Sequence, residues 1–481
     1  MNYKMITNIV GWVMKIEAGF MLLPAIVSLI YKEHNTWIFA ICAVFFFSLG
    51  MFMTAKKPEN TSFYAKEGFV SVGLGWIVLC TVGAVPFVAS REIPHPVDAI
   101  FEIVSGFTTT GASILPNVEE LSKSMLFWRS LSHWLGGMGV LVFFLALIPM
   151  AGGQNIHLIR AESTGPDVGK FVPKVRETAM LLYGIYFALS VLQFLFLIAG
   201  KMPVFDALCD VFGTAGTGGF GIKADSLAGY STYIQMVTAV FMLIFGMNFG
   251  FFYLIISKNI KGAFAMEEIR WYLGIFAFSA LIIALSLICR GADIFISIRD
   301  SVFQVSSIMT STGYATADFD KWPEVARFLL CFIMFTGACT GSTGGGIKVS
   351  RFIIWFKQIG KQLSLLVHPR RVKILKMDGK KIEHDTIRIV NGYFAIYFIV
   401  FTLSLFLVLL LDNKDLVTTF SAISATFNNI GPGLGGVGPT QNFAHFSDAS
   451  KLIMTFDMLA GRLEIFPLII LFAPRTWKKN G

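Results

Sequence analysis

One pattern restricts this chain more than any other: a turn in which glycine follows hydroxyl residues recurs along its 481 residues, each time between two long apolar runs. The four copies are Thr109-Thr110-Gly111, Gly216-Thr217-Gly218, Ser311-Thr312-Gly313 and Asn429-Ile430-Gly431, the last departing from the hydroxyl pattern. Each follows a short apolar segment that begins near an aspartate: Asp98, Asp206, Asp300 and Asp415. The recurring unit is apolar span, short helix, glycine turn, apolar span, at a spacing of roughly a hundred residues, which predicts four-fold pseudosymmetry about a common axis. Glycine suits such a turn because it tolerates positive φ, so that successive carbonyls can point the same way.

Composition sets the environment of that axis. Apolar residues make up 55% of the chain and charged residues 14%, and several runs exceed the length of about 20 residues that crosses a bilayer as a helix. The expected class is an all-α polytopic membrane protein. The net charge of +9 does not point to nucleic acid, since the basic residues fall between apolar spans as anchors on one side of the membrane. The six cysteines form no C-x-x-C pair and read as small buried hydrophobes, and the seven histidines have no metal-binding spacing.

Two spans, about 8–30 and 37–54, precede the first turn; Lys15 and Glu17 interrupt the first of them, and no cleavage pattern follows it. The repeats then place spans at 69–89 and 126–150, 178–200 and 232–257, 270–290 and 325–359, and 389–411 and 449–473, a total of ten with four re-entrant short helices. The expected units are an N-terminal two-helix segment, 1–66, and pore repeats at 67–176, 177–268, 269–387 and 388–481. Basic residues follow the even-numbered spans: Lys56, Lys57 and Lys66; Arg160, Lys170, Lys174 and Arg176; Lys258, Lys261 and Arg270; then a dense set from Lys348 to Arg388. By the positive-inside rule both termini are cytoplasmic and all four turns enter from outside. Carbonyls of four turns meeting on an axis can replace the hydration shell of an alkali cation, as in potassium-channel filters. The negative dipole end of each short helix favours a cation there.

These turns, together with Ser342–Lys348 (S-T-G-G-G-I-K) and Ala460–Pro467 (A-G-R-L-E-I-F-P), resemble those of the potassium-uptake permeases that include TrkH, TrkG and KtrB, over nearly the whole chain. The added N-terminal pair is more like TrkH and TrkG. The resemblance implies potassium as substrate, no cofactor in the chain, a bacterial inner-membrane location, and a dimer seated on a cytosolic nucleotide-binding regulatory ring of TrkA type. The segment Lys357–Arg388, otherwise a lipid-headgroup anchor, would be that subunit's docking surface.

Gly216–Gly221 and Gly433–Gly438 match G-x-G-x-x-G, yet neither has a strand-turn-helix setting or an acidic residue about twenty positions on, so a dinucleotide site is rejected. Gly341–Gly346 spaces its glycines as a Walker loop does, but Ile347 stands where lysine is needed. Trp134-Leu135-Gly136-Gly137-Met138-Gly139 reads first as close helix packing. Arg462 and Glu464 inside the last span either belong to a mutual or interhelical ion pair that orders the bundle or, as the resemblance implies, place the cation of Arg462 against the pore; Asn248 is a weaker candidate for the same lining. Gly337, Thr340, Gly341, Ser342, Thr343, Gly344, Gly345 and Gly346 cannot hold a helix, since each glycine costs about 1 kcal/mol relative to alanine. Broken backbone at membrane depth must line a cavity, which makes this stretch the expected gate. A secondary transporter with inverted repeats is the main rival, but here each repeat starts and ends inside. An enzyme would need a catalytic cluster within a span, and the sequence offers none.

Overall fold

Apolar stretches of helical length become helices here, but in the second, third and fourth repeats only the first span runs unbroken. The computed structural model describes residues 1–56, 65–137, 139 and 175–477. The N-terminal segment is α1 (Tyr3–Phe20) running on as α2 (Leu22–Ile30), then α3 (Thr36–Thr54). There follow α4 (Ala65–Ala89), α5 (Pro96–Phe107) and α6 (Lys123–Gly137); α7 (Val175–Ala199), α8 (Val204–Gly216), α9 (Thr232–Phe245), α10 (Phe249–Ile256) and the linking α11 (Ile260–Ala265). The second half comprises α12 (Glu267–Ile288), α13 (Ile294–Met309), α14 (Glu324–Met334) and α15 (Val349–Val367); then α16 (His384–Asp412), α17 (Leu416–Phe427), α18 (Asp448–Arg462), α19 (Phe466–Phe472) and α20 (Pro474–Trp477). Among the described residues the only strands are a hairpin pairing Lys376–Met377 with Lys380–Lys381.

Among the described residues six helices are long and apolar enough to span a membrane, against the ten spans expected of the whole chain. In the second, third and fourth units the cause is the same: the second span breaks. α6 ends at Gly137, and the rest of the expected 126–150 span, including Met138, lies outside the described residues, as do Lys57, Arg160, Lys170 and Lys174. α9 and α10 meet at an 89° bend, α14 gives way to an irregular stretch before α15, and α18 stops before α19 at Glu464 and Ile465, both with positive φ. A single straight helix over 232–257 is therefore corrected to a bent pair, with Asn248 capping the second half by accepting from Gly250 N at 2.8 Å.

The short helices start as helix physics demands. Pro96 occupies the first turn of α5, Asp293 accepts from Ile296 N at 3.0 Å, and Asp415 accepts from Thr418 N at 2.9 Å. Asp300 thus lies inside α13 rather than near its start, because that helix begins six residues earlier than the aspartate pattern implied.

Around the short helices, α1, α3, α4, α5, α6, α16 and α18 share the largest buried apolar cluster. Lys15 is held there by donating to Thr54 Oγ1 at 3.0 Å and lying over the Trp12 ring. The outward faces carry Val44, Phe52, Phe295, Phe328 and Leu410 fully or largely exposed, an apolar girdle that a bilayer would cover.

Candidate functional site

Each short helix ends in the same backbone motif. The amides of Thr110, Gly218, Thr312 and Ile430 donate five residues back, to Ser105, Gly213, Ser307 and Ala425, at 2.8, 2.8, 2.8 and 2.9 Å. The preceding residues, Thr109, Thr217, Ser311 and Asn429, are left-handed, with φ of 57°, 56°, 57° and 54°. This is a Schellman ending with a side chain where glycine is usual, at a cost of about 1–2 kcal/mol per residue. Four buried residues held in that conformation show that the packing around them overdetermines the turn.

Two residues on from each stem sits a glycine of positive φ: Gly111, Gly219, Gly313 and Gly431, at 80°, 72°, 91° and 94°. The backbone-equivalent second triplet is therefore Thr217-Gly218-Gly219, one residue later than Gly216-Thr217-Gly218; Gly216 is the last residue of α8. A signal for this register was present in the sequence. Asp98, Asp206 and Asp300 stand thirteen residues before Gly111, Gly219 and Gly313.

The four turns meet. A Cβ on Gly111 would overlap the carbonyl oxygen of Gly218, one on Gly219 that of Thr312, and one on Gly313 that of Ile430; a Cβ on Gly431 would lie 2.8 Å from the oxygen of Thr110. Each turn thus abuts the next and the fourth abuts the first, a closed cycle made of backbone. Asn429 fastens the closure by donating from Nδ2 to Thr110 Oγ1 at 2.9 Å and to the Met458 carbonyl at 2.8 Å. Hydroxyl pairs stiffen opposite members, Thr108 with Thr110 at 2.8 Å and Thr310 with Thr312 at 2.7 Å. Behind the first turn, Glu102 pairs with Arg129 at 2.5 Å and accepts from Ile114 N at 3.0 Å, while Arg129 Nη1 donates to the Gly221 carbonyl at 2.9 Å.

The glycine-rich stretch lies against this ring. Gly345 N donates to Ser311 Oγ at 2.6 Å, and a Cβ on Gly345 would sit 2.7 Å from Asn429 Cβ. Gly337, Gly341 and Gly346 have positive φ, at 61°, 67° and 70°. Three anchors hold the stretch. Glu268 accepts from Thr340 N at 2.7 Å and Ser350 N at 3.2 Å. The broken second span contributes the Gly246 carbonyl, which accepts from Cys339 N at 3.0 Å, and Phe249 N, which donates to Gly341 at 3.1 Å. Lys348 curls back so that its ammonium caps the carbonyls of Gly344 and Gly345. Ser342 Oγ donates to Cys339, and Thr343 Oγ1 to Phe245. Glu268 carried no sequence signal of this role, since it sits at a helix start, where charge is ordinary; Lys348 was marked only as the end of the Ser342–Lys348 motif and the start of the basic set. Glu268→Ala leaves two buried amides without an acceptor, so thermal unfolding of the variant should show a loss of about 2–4 kcal/mol.

Arg462, buried, bridges separate parts of the site. It donates to the Thr343 carbonyl at 2.6 Å and, at the end of α6, to those of Gly136 and Gly137. Glu464 instead pairs with Arg351, whose guanidinium lies 4.0 Å over the Tyr393 ring. An ion pair between Arg462 and Glu464 is therefore not the arrangement that orders this end of the bundle. Gly136 and Gly461 serve packing: a Cβ on either would overlap the carbonyl that ends α5 or α17, at Phe107 or Phe427.

Comparison with known proteins places this geometry. The TrkH family, described as cation transport protein, matches residues 34–479. The chain is 36% identical over the full length of both chains to the Trk system potassium uptake protein TrkH of Salmonella typhimurium and to that of Escherichia coli. It is 33% identical to the Trk system potassium uptake protein TrkG of Escherichia coli, covering 99% of each. The crystal structure of the potassium transporter TrkH from Vibrio parahaemolyticus superposes with a TM-score of 0.89 at 32% identity, over 99% of this chain and 100% of that one. A family match across almost the entire sequence, with relatives above 30% identity end to end, makes this chain a member of the TrkH family of cation transport proteins.

Proposed function

We propose that this chain takes up potassium through a single axial pore whose selectivity filter is the carbonyls of Thr109-Thr110-Gly111 and its three counterparts. The observation that carries the reading is the closed cycle of four left-handed glycines, each against the carbonyl of the next turn. Such a ring supplies oxygens at fixed spacing from four negative helix ends, which is what a dehydrated potassium ion requires. The names of the relatives supply the choice of ion. Potassium is the substrate, and the chain needs no cofactor.

In this reading the stretch from Gly337 to Gly346 is the gate beneath the filter, and Arg462 is its latch to the first repeat. The basic segment from Lys357 to Arg388 receives a cytosolic nucleotide-binding subunit, and the permease works as a homodimer in the inner membrane with both termini cytoplasmic. Arg462→Gln keeps one donor and removes the charge, so rubidium uptake without the regulator should rise about threefold to tenfold, equivalent to about 1 kcal/mol of gate bias. Unchanged uptake with a lowered unfolding temperature would assign Arg462 to structure alone.

The decisive test is rubidium uptake into proteoliposomes with sodium and proton gradients varied independently. No flux of any alkali cation with the cytosolic subunit present would overturn the proposal. The 89° break between α9 and α10 is also what an alternating-access transporter would use. A fixed ratio of sodium to rubidium at every driving force would select that reading instead.

A further inference from the structure

The position seven residues before each left-handed stem holds Glu102, Asp210, Gln304 and Ala422 in the four units. In three units this region of the short helix ties down the strand that leaves the turn. Glu102 accepts from Ile114 N at 3.0 Å; Gln304, with its amide oriented to suit its neighbours, accepts from Thr316 N at 2.9 Å; and Ser421, one residue before Ala422, accepts from Leu434 N at 2.9 Å. The second unit breaks the rule. Asp210 is one methylene shorter than Glu102, and its Oδ1 has no hydrogen-bond partner although the residue is only 4% exposed.

In place of the missing tie is a cavity of about 10 Å³, room for one particle the size of a water molecule. Its lining includes Asp210, the half-buried Asp206, Gly221, Ile222 and Tyr314. Two carboxylates face this space, and no basic side chain lines it. The nearby cations are occupied: Arg129 by Glu102 and the Gly221 carbonyl, Lys223 by the face of Tyr230 at 4.1 Å. Thr238 Oγ1 donates to Asp210 Oδ2 at 3.1 Å, Tyr230 OH to Asp206 Oδ2 at 2.8 Å and Tyr314 OH to the main-chain carbonyl of Asp210 at 3.3 Å, and Asp210 Oδ1 is the atom without a hydrogen bond. In the first unit the same problem is solved by a guanidinium. A buried carboxylate without a counterion costs several kcal/mol.

We propose that this cavity binds one dehydrated alkali cation of sodium size, a resident ion that does for Asp210 what Arg129 does for Glu102 and ties the second turn to α8. Entry is past Asp206, on the side where α8 begins.

The test is thermal unfolding of the full-length protein in detergent at constant potassium and constant ionic strength, with choline exchanged for sodium. Sodium should raise the wild-type midpoint by about 2–4 °C, saturably. Asp210→Asn should lack that rise. Asp210→Glu, with the reach to bond Ile222 N as Glu102 bonds Ile114, should lack it too while unfolding no earlier than wild type in choline, which keeps the test valid if the asparagine variant folds poorly. A wild type indifferent to sodium would mean that a water fills the cavity. An equal rise in wild type and Asp210→Glu would place the ion elsewhere, and a midpoint that follows pH but not sodium would mean that a proton neutralises Asp210; each of these overturns the proposal. No transport is measured, so the result is independent of the potassium-uptake reading.

Discussion

Alanine in place of Gly313 should reduce the preference for rubidium over sodium at least about tenfold while leaving insertion into the membrane intact. Two effects add at this residue. An L side chain at a φ of 91° is strained by about 1–2 kcal/mol, and the new Cβ would overlap the Ile430 carbonyl oxygen, which belongs to the ring itself and cannot move without changing the ring. About 1.4 kcal/mol of differential binding between two ions already amounts to a factor of ten. Gly111→Ala and Gly219→Ala meet the same obstacle, at the Gly218 and Thr312 oxygens, and should match it; Gly431→Ala, with 2.8 Å to the Thr110 oxygen, should lose less. Gly184→Ala and Gly274→Ala are controls, because nothing lies within 4 Å of either added carbon. Competition of sodium against rubidium uptake reads all six. Wild-type selectivity in a well-expressed Gly313→Ala protein would remove the ring from the selectivity mechanism.

Removing Thr340 to Gly345 should raise uptake in the absence of the cytosolic partner on the order of tenfold, with ion preference unchanged. The deletion is geometrically feasible because the stretch folds back on itself. Val349 N donates to the Ala338 carbonyl at 3.2 Å, and a Cβ on Gly337 would sit 2.8 Å from the Gly345 oxygen and 2.7 Å from that of Ile347. Cys339 can therefore be joined to Gly346 without pulling α14 away from α15. What disappears is the contact of Gly345 with Ser311 and the Thr343 carbonyl that Arg462 holds. Rubidium flux into vesicles, measured with and without sodium competition, separates the two parts of this expectation. Wild-type or slower flux in a correctly inserted variant would put the gate somewhere else.

The sequence announced the unit and its four occurrences because a glycine after hydroxyl residues between apolar runs is a local signal. Gly216, Gly218 and Gly219 offer several registers to a search for glycines, and only the backbone conformation, or the thirteen-residue distance from Asp206, selects Gly219. The break at Gly337 was legible from glycine density, whereas the bend at Asn248 was not. There the helix stops because Asn248 caps a new one and the Gly246 carbonyl is taken by Cys339, a residue almost a hundred positions away. The partners of Arg462 were hidden for the same reason: its acceptors are main-chain oxygens, which every residue has, so no side-chain pattern marks them. A hydrogen bond from a side chain to a main-chain carbonyl of another repeat leaves no trace in the identity of the residue that accepts it.

The closure of the ring also has a consequence in time. Asn429 completes it by reaching Thr110, 319 residues earlier in the chain. At the usual pace of about 5–20 residues per second, the first turn waits roughly 15–60 s after its own synthesis before its last neighbour exists. Through that interval Thr109 has no closed cycle to hold its left-handed backbone, so the strained conformations of all four turns should be acquired together, and only after the fourth unit has entered the membrane. A chain truncated before Asn429 should insert its first three units and still lack the closed ring of four turns.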